Sequence, residues 1–161
     1  MPACNDFVDV RAADLQIRAL TPGDLSQVLD IEHQGYSFPW SEGVFKDCFR
    51  DNYRLWALDD GRRLVGYAIV AYMFDEAHLL NICVDPSVRR QGAGRFLLRY
   101  LLAEAARDGM IQVVLEVRAS NDAAARLYLS EGFSQVGQRT DYYPSARGRE
   151  AALVMTLGLG C

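Results

Sequence analysis

Residues that build metal centres and disulfide frameworks are scarce in this sequence. Its 161 residues include four cysteines and two histidines, with no Cys-x-x-Cys pair and no zinc-type spacing. No stretch approaches the roughly 20 apolar residues that a membrane-spanning helix requires. The first residues lack the basic region and apolar core of a secretory signal. We therefore expect a cytoplasmic protein with no metal and no membrane partner.

Positive charge is also limited, because 17 lysines and arginines stand against 21 acidic residues and give a net charge of −4. Nucleic-acid-binding proteins usually present a strongly basic face, so direct nucleic-acid binding is disfavoured. The acidic balance instead suits a basic peptide, to which Asp75 and Glu76 are candidate contributors. The length fits a single domain over residues 1–161, with residues 1–14 as a flexible leader.

The hydrophobic pattern predicts a mixed α/β protein. We expect strands at residues 15–20, 53–58, 64–72, 77–84, 111–117, 133–139 and 151–157. Helices are expected at 21–35, shortly after Ser41, at 92–108 and at 121–131. This order predicts a central mixed sheet of about seven strands with helices on both faces.

A loop rich in arginine and glycine carries the first chemical signal. Arg89, Arg90 and Arg95 surround Gly92-Ala93-Gly94, which opens the predicted third helix. Glycines let backbone N–H groups approach a ligand closely, and a helix N-terminus carries partial positive charge. The segment therefore predicts an anion site suited to a pyrophosphate, with a plain glycine-rich helix start and solvated arginines as the alternative.

Two other phosphate motifs are excluded at this loop. A Walker loop requires Gly-Lys followed by Ser or Thr, and the sequence has no such triplet. The dinucleotide-binding fingerprint requires a third small residue at the position of Leu97. It also requires a tighter strand-to-helix turn than the stretch from Asp85 to Gln91 allows.

The segment Arg89-Arg90-Gln91-Gly92-Ala93-Gly94 resembles the pyrophosphate loop of the GNAT superfamily of acyl-CoA N-acyltransferases, written Arg/Gln-x-x-Gly-x-Gly/Ala. Four further segments lie in matching order: Phe38-Pro39-Trp40-Ser41, Asn81-Ile82-Cys83-Val84-Asp85-Pro86, Leu115-Glu116-Val117-Arg118-Ala119-Ser120-Asn121 and Tyr142-Tyr143-Pro144. The set is similar to the bacterial ribosomal-protein-alanine N-acetyltransferases over about residues 15–157.

The resemblance implies a GNAT fold with a splayed central sheet, and acetyl-CoA as cosubstrate. It also implies that the acceptor is the N-terminal alanine of small-subunit ribosomal protein eighteen, so a ribosomal-protein peptide is the expected partner. A monomer is expected.

Roles for individual residues follow from the same resemblance. Glu116 would be the general base and Tyr128 the general acid. The cofactor-binding set would comprise Ile82, Cys83, Val84, Arg90, Gln91, Gly92, Ala93, Gly94, Arg95 and Asn121. The acceptor would contact two loops that carry Phe38, Trp40, Tyr142 and Tyr143.

These roles match the chemistry of amide formation from an amine and a thioester. A terminal α-amine has a reference pKa of about 7.7–8.0, so a carboxylate such as Glu116, directly or through a water, can remove its proton near neutral pH. A tyrosine such as Tyr128, with a reference pKa near 10, is protonated there and can donate to a leaving thiolate. The backbone N–H of Val84 or of a neighbouring residue is the expected oxyanion donor. From the residues alone, Glu116 could instead pair with Arg118, and Tyr128 could be a core residue.

Alternatives remain at the level of mechanism and of function. Cys83 raises an acetyl-cysteine route, but no histidine motif accompanies it, so a small buried residue and direct attack in a ternary complex are favoured. A peptide N-terminal acetyltransferase is the favoured function. A GNAT enzyme acting on lysine side chains or a small-molecule amine is the alternative, and a non-catalytic acyl-CoA-binding module is the third possibility.

Overall fold

A computed structural model describes residues 14–89, 91–146 and 148–160. The predicted leader, apart from Asp14, and the predicted phosphate ligand Arg90 lie outside the described residues. None of the helices within the described ranges has the length and apolar character needed to cross a bilayer.

The described part of the chain contains seven strands and four α-helices. The strands are β1 (Gln16–Ala19), β2 (Tyr53–Asp59), β3 (Leu64–Met73), β4 (Glu76–Val84), β5 (Gln112–Arg118), β6 (Ser134–Ser145) and β7 (Gly148–Gly158). The helices are α1 (Leu25–Gly35), α2 (Glu42–Lys46), α3 (Ala93–Arg107) and α4 (Asp122–Ser130), with 3-10 turns at Pro22–Asp24 and Pro86–Val88. The strand order is β1-β2-β3-β4-β5-β7-β6, which confirms the predicted mixed sheet.

Helix boundaries follow local signals in the sequence. Thr21 and Asp24 form a reciprocal capping box at the turn that leads into α1. The Ser41 hydroxyl accepts the Val44 N–H at 3.3 Å at the start of α2. Gly109, at φ 87°, and Gly132, at φ 99°, take the left-handed conformation that ends α3 and α4.

The chain forms two compact units, and the first comprises residues 14–70 and 81–101. In its core, Val28 of α1 and Phe45 of α2 pack with Ala57 of β2. Successive side chains of a strand point to opposite faces, and on the other face Trp56 contacts Tyr100 of α3, with 5.0 Å between ring centroids. Helices therefore cover both faces of β2 in this unit.

The second unit comprises residues 71–80 and 102–160. Its β5 alternates between buried Val113, Leu115 and Val117 and a more exposed face that carries Glu116 and Arg118. The start of β4 pairs with β5 in parallel, from Glu76↔Gln112 to Leu79↔Leu115. On its other edge β5 pairs antiparallel with β7, from Gln112↔Gly158 to Arg118↔Ala152.

The last two strands differ from the prediction. Tyr142-Tyr143-Pro144 was expected in a loop, but β6 continues through all three residues to Ser145. The register between β6 and β7 shifts between the pairs Arg139↔Ala152 and Tyr143↔Glu150. Between these two pairs the chain runs four residues along β6 but only two residues along β7. Asp141, at φ 54°, lies within this bulge. The bulge breaks the alternation that would have marked a continuous strand, and this explains the wrong prediction.

Candidate active site

The loop that follows β4 is held by a buried carboxylate in the first unit. Asp85 accepts the Ser87 N–H at 2.9 Å, and the Arg63 guanidinium contacts both Asp85, at 3.1 Å, and the Ser87 hydroxyl, at 3.1 Å. Burial opposes ionisation of Asp85, but the bonds from Arg63 and Ser87 outweigh it, so its pKa lies below its usual value. The turn before the glycine segment is therefore fixed by the β2–β3 hairpin.

Helix α3 begins directly after Gly92, which has a φ of 79°. Its first intrahelical bond runs from the Phe96 N–H to the Gly92 carbonyl at 2.9 Å, so the N–H groups just before Phe96 point out of the helix start. A Cβ added to Gly92 or to Gly94 would meet no atom within 4 Å. Outward N–H groups at a helix start are the donor set that a phosphate requires, so these residues fit a pyrophosphate.

The end of β4 carries the three residues expected to contact the acetyl-pantetheine arm. The Ile82 carbonyl accepts the Tyr36 hydroxyl at 2.7 Å, and the Val84 carbonyl accepts Nε of Arg89 at 3.3 Å. Cys83 packs so closely on α1 that a Cβ at Gly35 would come within 2.6 Å of its sulfur. Burial raises the pKa of the Cys83 thiol, which disfavours the thiolate.

The aromatic segment after α1 lies in the same unit. Trp40 packs on Phe45 of α2, with 5.2 Å between ring centroids. Phe38 is 45% exposed. Trp40 is therefore anchored on the core, whereas Phe38 is partly exposed to solvent.

A buried glutamate behind this segment was not predicted as a site residue. Glu32 is 1% exposed, and its carboxylate accepts hydrogen bonds from the Tyr67 hydroxyl, from Nδ2 of Asn81 at 2.8 Å and from the Trp40 N–H at 2.8 Å. The sequence did contain a signal for Glu32, namely its position along α1. Glu32 follows Val28 by four residues and Leu25 by seven, so a charged residue stands on the apolar stripe of α1.

In the second unit, Glu116 lies on the more exposed face of β5 and contacts residues of β6. Its carboxylate is 3.4 Å from Nε of Arg139, and its backbone carbonyl accepts the Tyr143 hydroxyl at 3.2 Å. Tyr142 and Tyr143 meet edge to face at 4.9 Å, and the Arg139 guanidinium lies 4.9 Å from the centroid of the Tyr142 ring. The structure therefore brings the predicted base and two predicted acceptor-binding tyrosines together.

Arg118, the alternative partner expected for Glu116, contacts other groups. It donates to the Pro144 carbonyl at 2.6 Å, pairs with Glu150 at 3.0 Å and lies 4.6 Å from the centroid of the Tyr143 ring. These contacts tie the end of β5 to the strands that carry the two tyrosines.

Tyr128 and Tyr143 are both held in their protonated forms. Burial and the nearby Glu116 charge raise the pKa of Tyr143 to about 12. Burial, with a smaller contribution from Tyr143, raises the pKa of Tyr128 well above its usual value. The Tyr128 ring packs on Phe133 at 5.6 Å, so this residue has both the buried position of a core side chain and a stable hydroxyl donor.

Two other predicted contributors have different surroundings. Asn121 caps α4, with its side-chain oxygen accepting the Ala124 N–H at 3.2 Å. Glu76 pairs with Gln112 in the sheet register, four residues before Glu116 on β5, which corresponds to about 13 Å along the strand. Asp75 precedes Glu76 in the β3–β4 turn. An extended peptide spans this distance in about four residues, so a contribution of these two acids to acceptor binding stays a prediction.

The chain is similar to proteins of known activity. The sequence profile of the Acetyltransferase (GNAT) family matches residues 25–133. The chain is 42% identical over 141 residues to the [Ribosomal protein bS18]-alanine N-acetyltransferase of Escherichia coli (strain K12), which covers 88% of this chain and 95% of that protein.

Solved structures agree as well. The crystal structure of the ribosomal-protein-S18-alanine N-acetyltransferase from Escherichia coli matches with a TM-score of 0.87 and 40% identity, over 91% of this chain and 95% of that one. The structure of Ard1 from Thermoplasma volcanium matches with a TM-score of 0.81 and 26% identity, over 90% and 97%. The family match and these relatives show that the protein is an acyltransferase. The chain belongs to the GNAT acetyltransferase family, whose members use acetyl-CoA.

Proposed function

We propose that this enzyme transfers the acetyl group of acetyl-CoA to the α-amine of an N-terminal alanine, in the ribosomal protein bS18. The contact of Glu116 with Arg139 and Tyr143 carries the proposal, because it joins a carboxylate base to the aromatic residues expected to bind the acceptor. The Escherichia coli relative, which is 42% identical, is a bS18-alanine N-acetyltransferase, and this supports the same acceptor. Residues 1–161 would act as one GNAT domain in the cytoplasm.

The residues assigned to acetyl-CoA are those that the sequence predicts. The outward N–H groups at the start of α3 would bind the pyrophosphate, and Arg90, Gln91 and Arg95 would add contacts to its oxygens. Backbone groups of Ile82, Cys83 and Val84 would bond the pantetheine arm. The side-chain oxygen of Asn121 caps α4, which leaves its amide nitrogen to donate to the arm. When bound, acetyl-CoA supplies an activated thioester carbonyl.

Glu116 is assigned as the base that removes a proton from the acceptor amine. An α-amine has a reference pKa of about 7.7–8.0, so part of it is unprotonated at neutral pH. A carboxylate can therefore serve as the base that accepts its proton during the reaction. Arg139 restrains the carboxylate, which otherwise has several rotamers. The amine nitrogen then attacks the thioester carbon, its proton passes to Glu116, directly or through a water, and the Val84 N–H would polarise the carbonyl oxygen.

Tyr128 is assigned as the donor to the departing sulfur. A thiol has a reference pKa of about 8.5, below even the ordinary pKa of a tyrosine, so complete proton transfer from Tyr128 is uphill. The raised pKa of Tyr128 increases this difference. Its hydroxyl would therefore stabilise the thiolate through a hydrogen bond, and the thiolate would leave without first taking the whole proton.

Direct attack is supported over an acetyl-cysteine route by the surroundings of Cys83. Its pKa is raised by burial, and its sulfur packs on Gly35. His33 is exposed on α1, and His78 lies 3.5 Å from Glu76, so each histidine has surroundings that do not involve the thiol. A cysteine nucleophile needs a base or a lowered pKa, and Cys83 has the opposite shift.

A matched panel of acceptors tests the proposal. Peptides that share one sequence after residue 1 would begin with Ala, Ser or Met, and a fourth would have a blocked α-amine and an internal lysine. Spermidine would represent small amines. We expect the Ala peptide to give the highest kcat/KM.

Glu116→Gln should lower kcat by about 10²–10⁴-fold, whereas Glu104→Gln, which breaks an exposed pair with Arg107, should not. Preference for the lysine peptide or for spermidine would contradict the assignment.

A further inference from the structure

Glu32 forms a bridge between three elements of the first unit. One carboxylate oxygen, Oε1, accepts from Tyr67 of β3 and from Asn81 of β4, and the other, Oε2, accepts from the backbone N–H of Trp40. These donors are a phenol, an amide and a peptide N–H. With 1% exposure, the side chain gives up almost all its hydration, so these bonds must replace water.

The bond from Trp40 fixes one end of the aromatic segment 36–40. Proline has no N–H, so after Phe38 the first backbone donor is that of Trp40, and it donates to Glu32. At the other end, the Tyr36 hydroxyl donates to the Ile82 carbonyl at 2.7 Å. Both ends of the segment are thus tied to groups on or next to β4, while Phe38 between them is 45% exposed.

The bonding pattern requires a carboxylate. Two oxygens that accept three hydrogen bonds act only as acceptors, which is the property of the ionised form. An amide at this position would replace one oxygen by an NH₂ group, and that group would face a donor. Glutamine has nearly the same shape, so Glu32→Gln changes the bonding while it preserves the volume of the side chain.

We propose that Glu32 is a positioning residue that holds the segment 36–40 in the conformation that binds the acceptor peptide. This rests on the proposed function, in which Phe38 and Trp40 contact the peptide. Glu32 itself touches neither substrate, because it is buried behind the segment. Its loss should therefore weaken the use of peptide and leave the binding of acetyl-CoA unchanged.

The test uses Glu32→Gln in full-length protein with Trp56→Phe, which leaves Trp40 as the one tryptophan. We expect the KM for the Ala peptide to rise about tenfold, since a buried donor loses its acceptor. The Kd for acetyl-CoA should stay within about twofold and kcat within about threefold. Trp40 emission should shift to longer wavelength and acrylamide should quench it more strongly. The control Glu42→Gln, which removes an exposed pair with Lys46, should change none of these.

Two further variants test the positioning role of Glu32 through its bonding partners and through the other end of the segment. Tyr67→Phe removes a donor to Oε1 and leaves the Trp40 bond, so its effect on peptide KM should be much smaller than that of Glu32→Gln. If Glu32→Gln does not fold, Tyr36→Phe releases the other end of the segment and should raise peptide KM in the same way.

The fluorescence readout separates this inference from the proposed function. If the parent enzyme acetylates no peptide, the proposed acceptor is wrong, but increased quenching of Trp40 in Glu32→Gln would still support the positioning role. Unchanged Trp40 emission in that variant, or an equal loss of peptide and acetyl-CoA binding, would overturn it.

Discussion

The Arg139 guanidinium is shared between the Glu116 carboxylate, 3.4 Å away, and the ring of Tyr142, whose centroid is 4.9 Å away. The register of the sheet explains this contact. Glu116 pairs with Val154 of β7, and Val154 pairs with Gly137 of β6. Arg139 is two residues beyond Gly137, so its side chain points to the same face as that of Glu116. One arginine therefore links the proposed base to the proposed acceptor site.

Replacement of Arg139 should reduce activity without a matching loss of stability. Half-exposed ion pairs contribute about 0–1 kcal/mol to folding, so the thermal midpoint of Arg139→Ala should change little. We expect kcat/KM for the Ala peptide to fall about tenfold, because the carboxylate loses its restraint and Tyr142 loses a stacked cation. Steady-state kinetics and thermal unfolding would measure both. Arg107→Ala, which breaks the exposed pair with Glu104, is the control, and an equal loss of activity there would contradict the prediction.

Tyr128 should give a distinctive pH dependence. Its pKa is raised by burial, so its proton stays bound through neutral pH and beyond pH 10, the ordinary value. We expect no loss of kcat from this group between about pH 7 and pH 9.5, and a fall of about 10²-fold in Tyr128→Phe across that range. Tyr72→Phe removes a hydroxyl bonded to Asp108 and serves as the control. An alkaline decline in the parent that vanishes in Tyr128→Phe would contradict the expectation.

At Gly94, a methyl group and a carboxylate should have different effects on CoA binding. Alanine also fits the family pattern at this position, an added methyl group meets no atom within 4 Å, and alanine in a helix is more stable than glycine by about 0.5–1 kcal/mol. Gly94→Ala should therefore raise the thermal midpoint and leave the Kd for CoA within about threefold. Gly94→Asp would place a negative charge beside the N–H groups that receive a phosphate, so the Kd for CoA should rise at least about tenfold. Calorimetric titration with CoA measures both. Gly43→Asp in α2 is the control, and equal Kd values for it and for Gly94→Asp would refute the site.

Asp24 should control acid stability in a way that is independent of catalysis. Hydrogen bonds from Arg18, opposed by burial and helped by Thr21, lower the pKa of Asp24 to about 2. Its contribution is thus present above the reference value of 3.8 and is lost as pH falls through about 2. Asp24→Asn should lower the free energy of unfolding by about 1–3 kcal/mol at pH 6 and by much less near pH 2. Urea unfolding across pH, with exposed Asp30→Asn as control, tests the sign. A constant difference would contradict it.

Local signals in the sequence predicted most of the fold. The glycines at 109 and 132 end their helices because only a left-handed residue closes these turns without strain, and no distant residue is involved. The loop at Gly92 and Gly94 is similar, since its chemistry comes from its own backbone. Such features depend on a few neighbouring residues, so a sequence pattern is enough to place them.

Features that depend on distant strands were not predicted. The choice of Arg139 over Arg118 as the partner of Glu116 depends on the register of three strands and on the competing contact of Arg118 with Glu150. The bulge at Asp141 carries β6 through residues that the sequence pattern assigned to a loop. Glu32 was visible as a charge on an apolar stripe, but its three donors come from β3, β4 and the segment after α1. Only the folded chain brings these groups together.

The position of the transferred acetyl group tests the central claim most directly. A peptide with the first residues of bS18, a free N-terminal alanine and at least one internal lysine would be incubated with enzyme and acetyl-CoA. Fragmentation by tandem mass spectrometry would then locate the added acetyl group. The account predicts a single acetyl group on the alanine nitrogen, absent with Glu116→Gln. Acetyl groups on lysine with an unmodified alanine would contradict it.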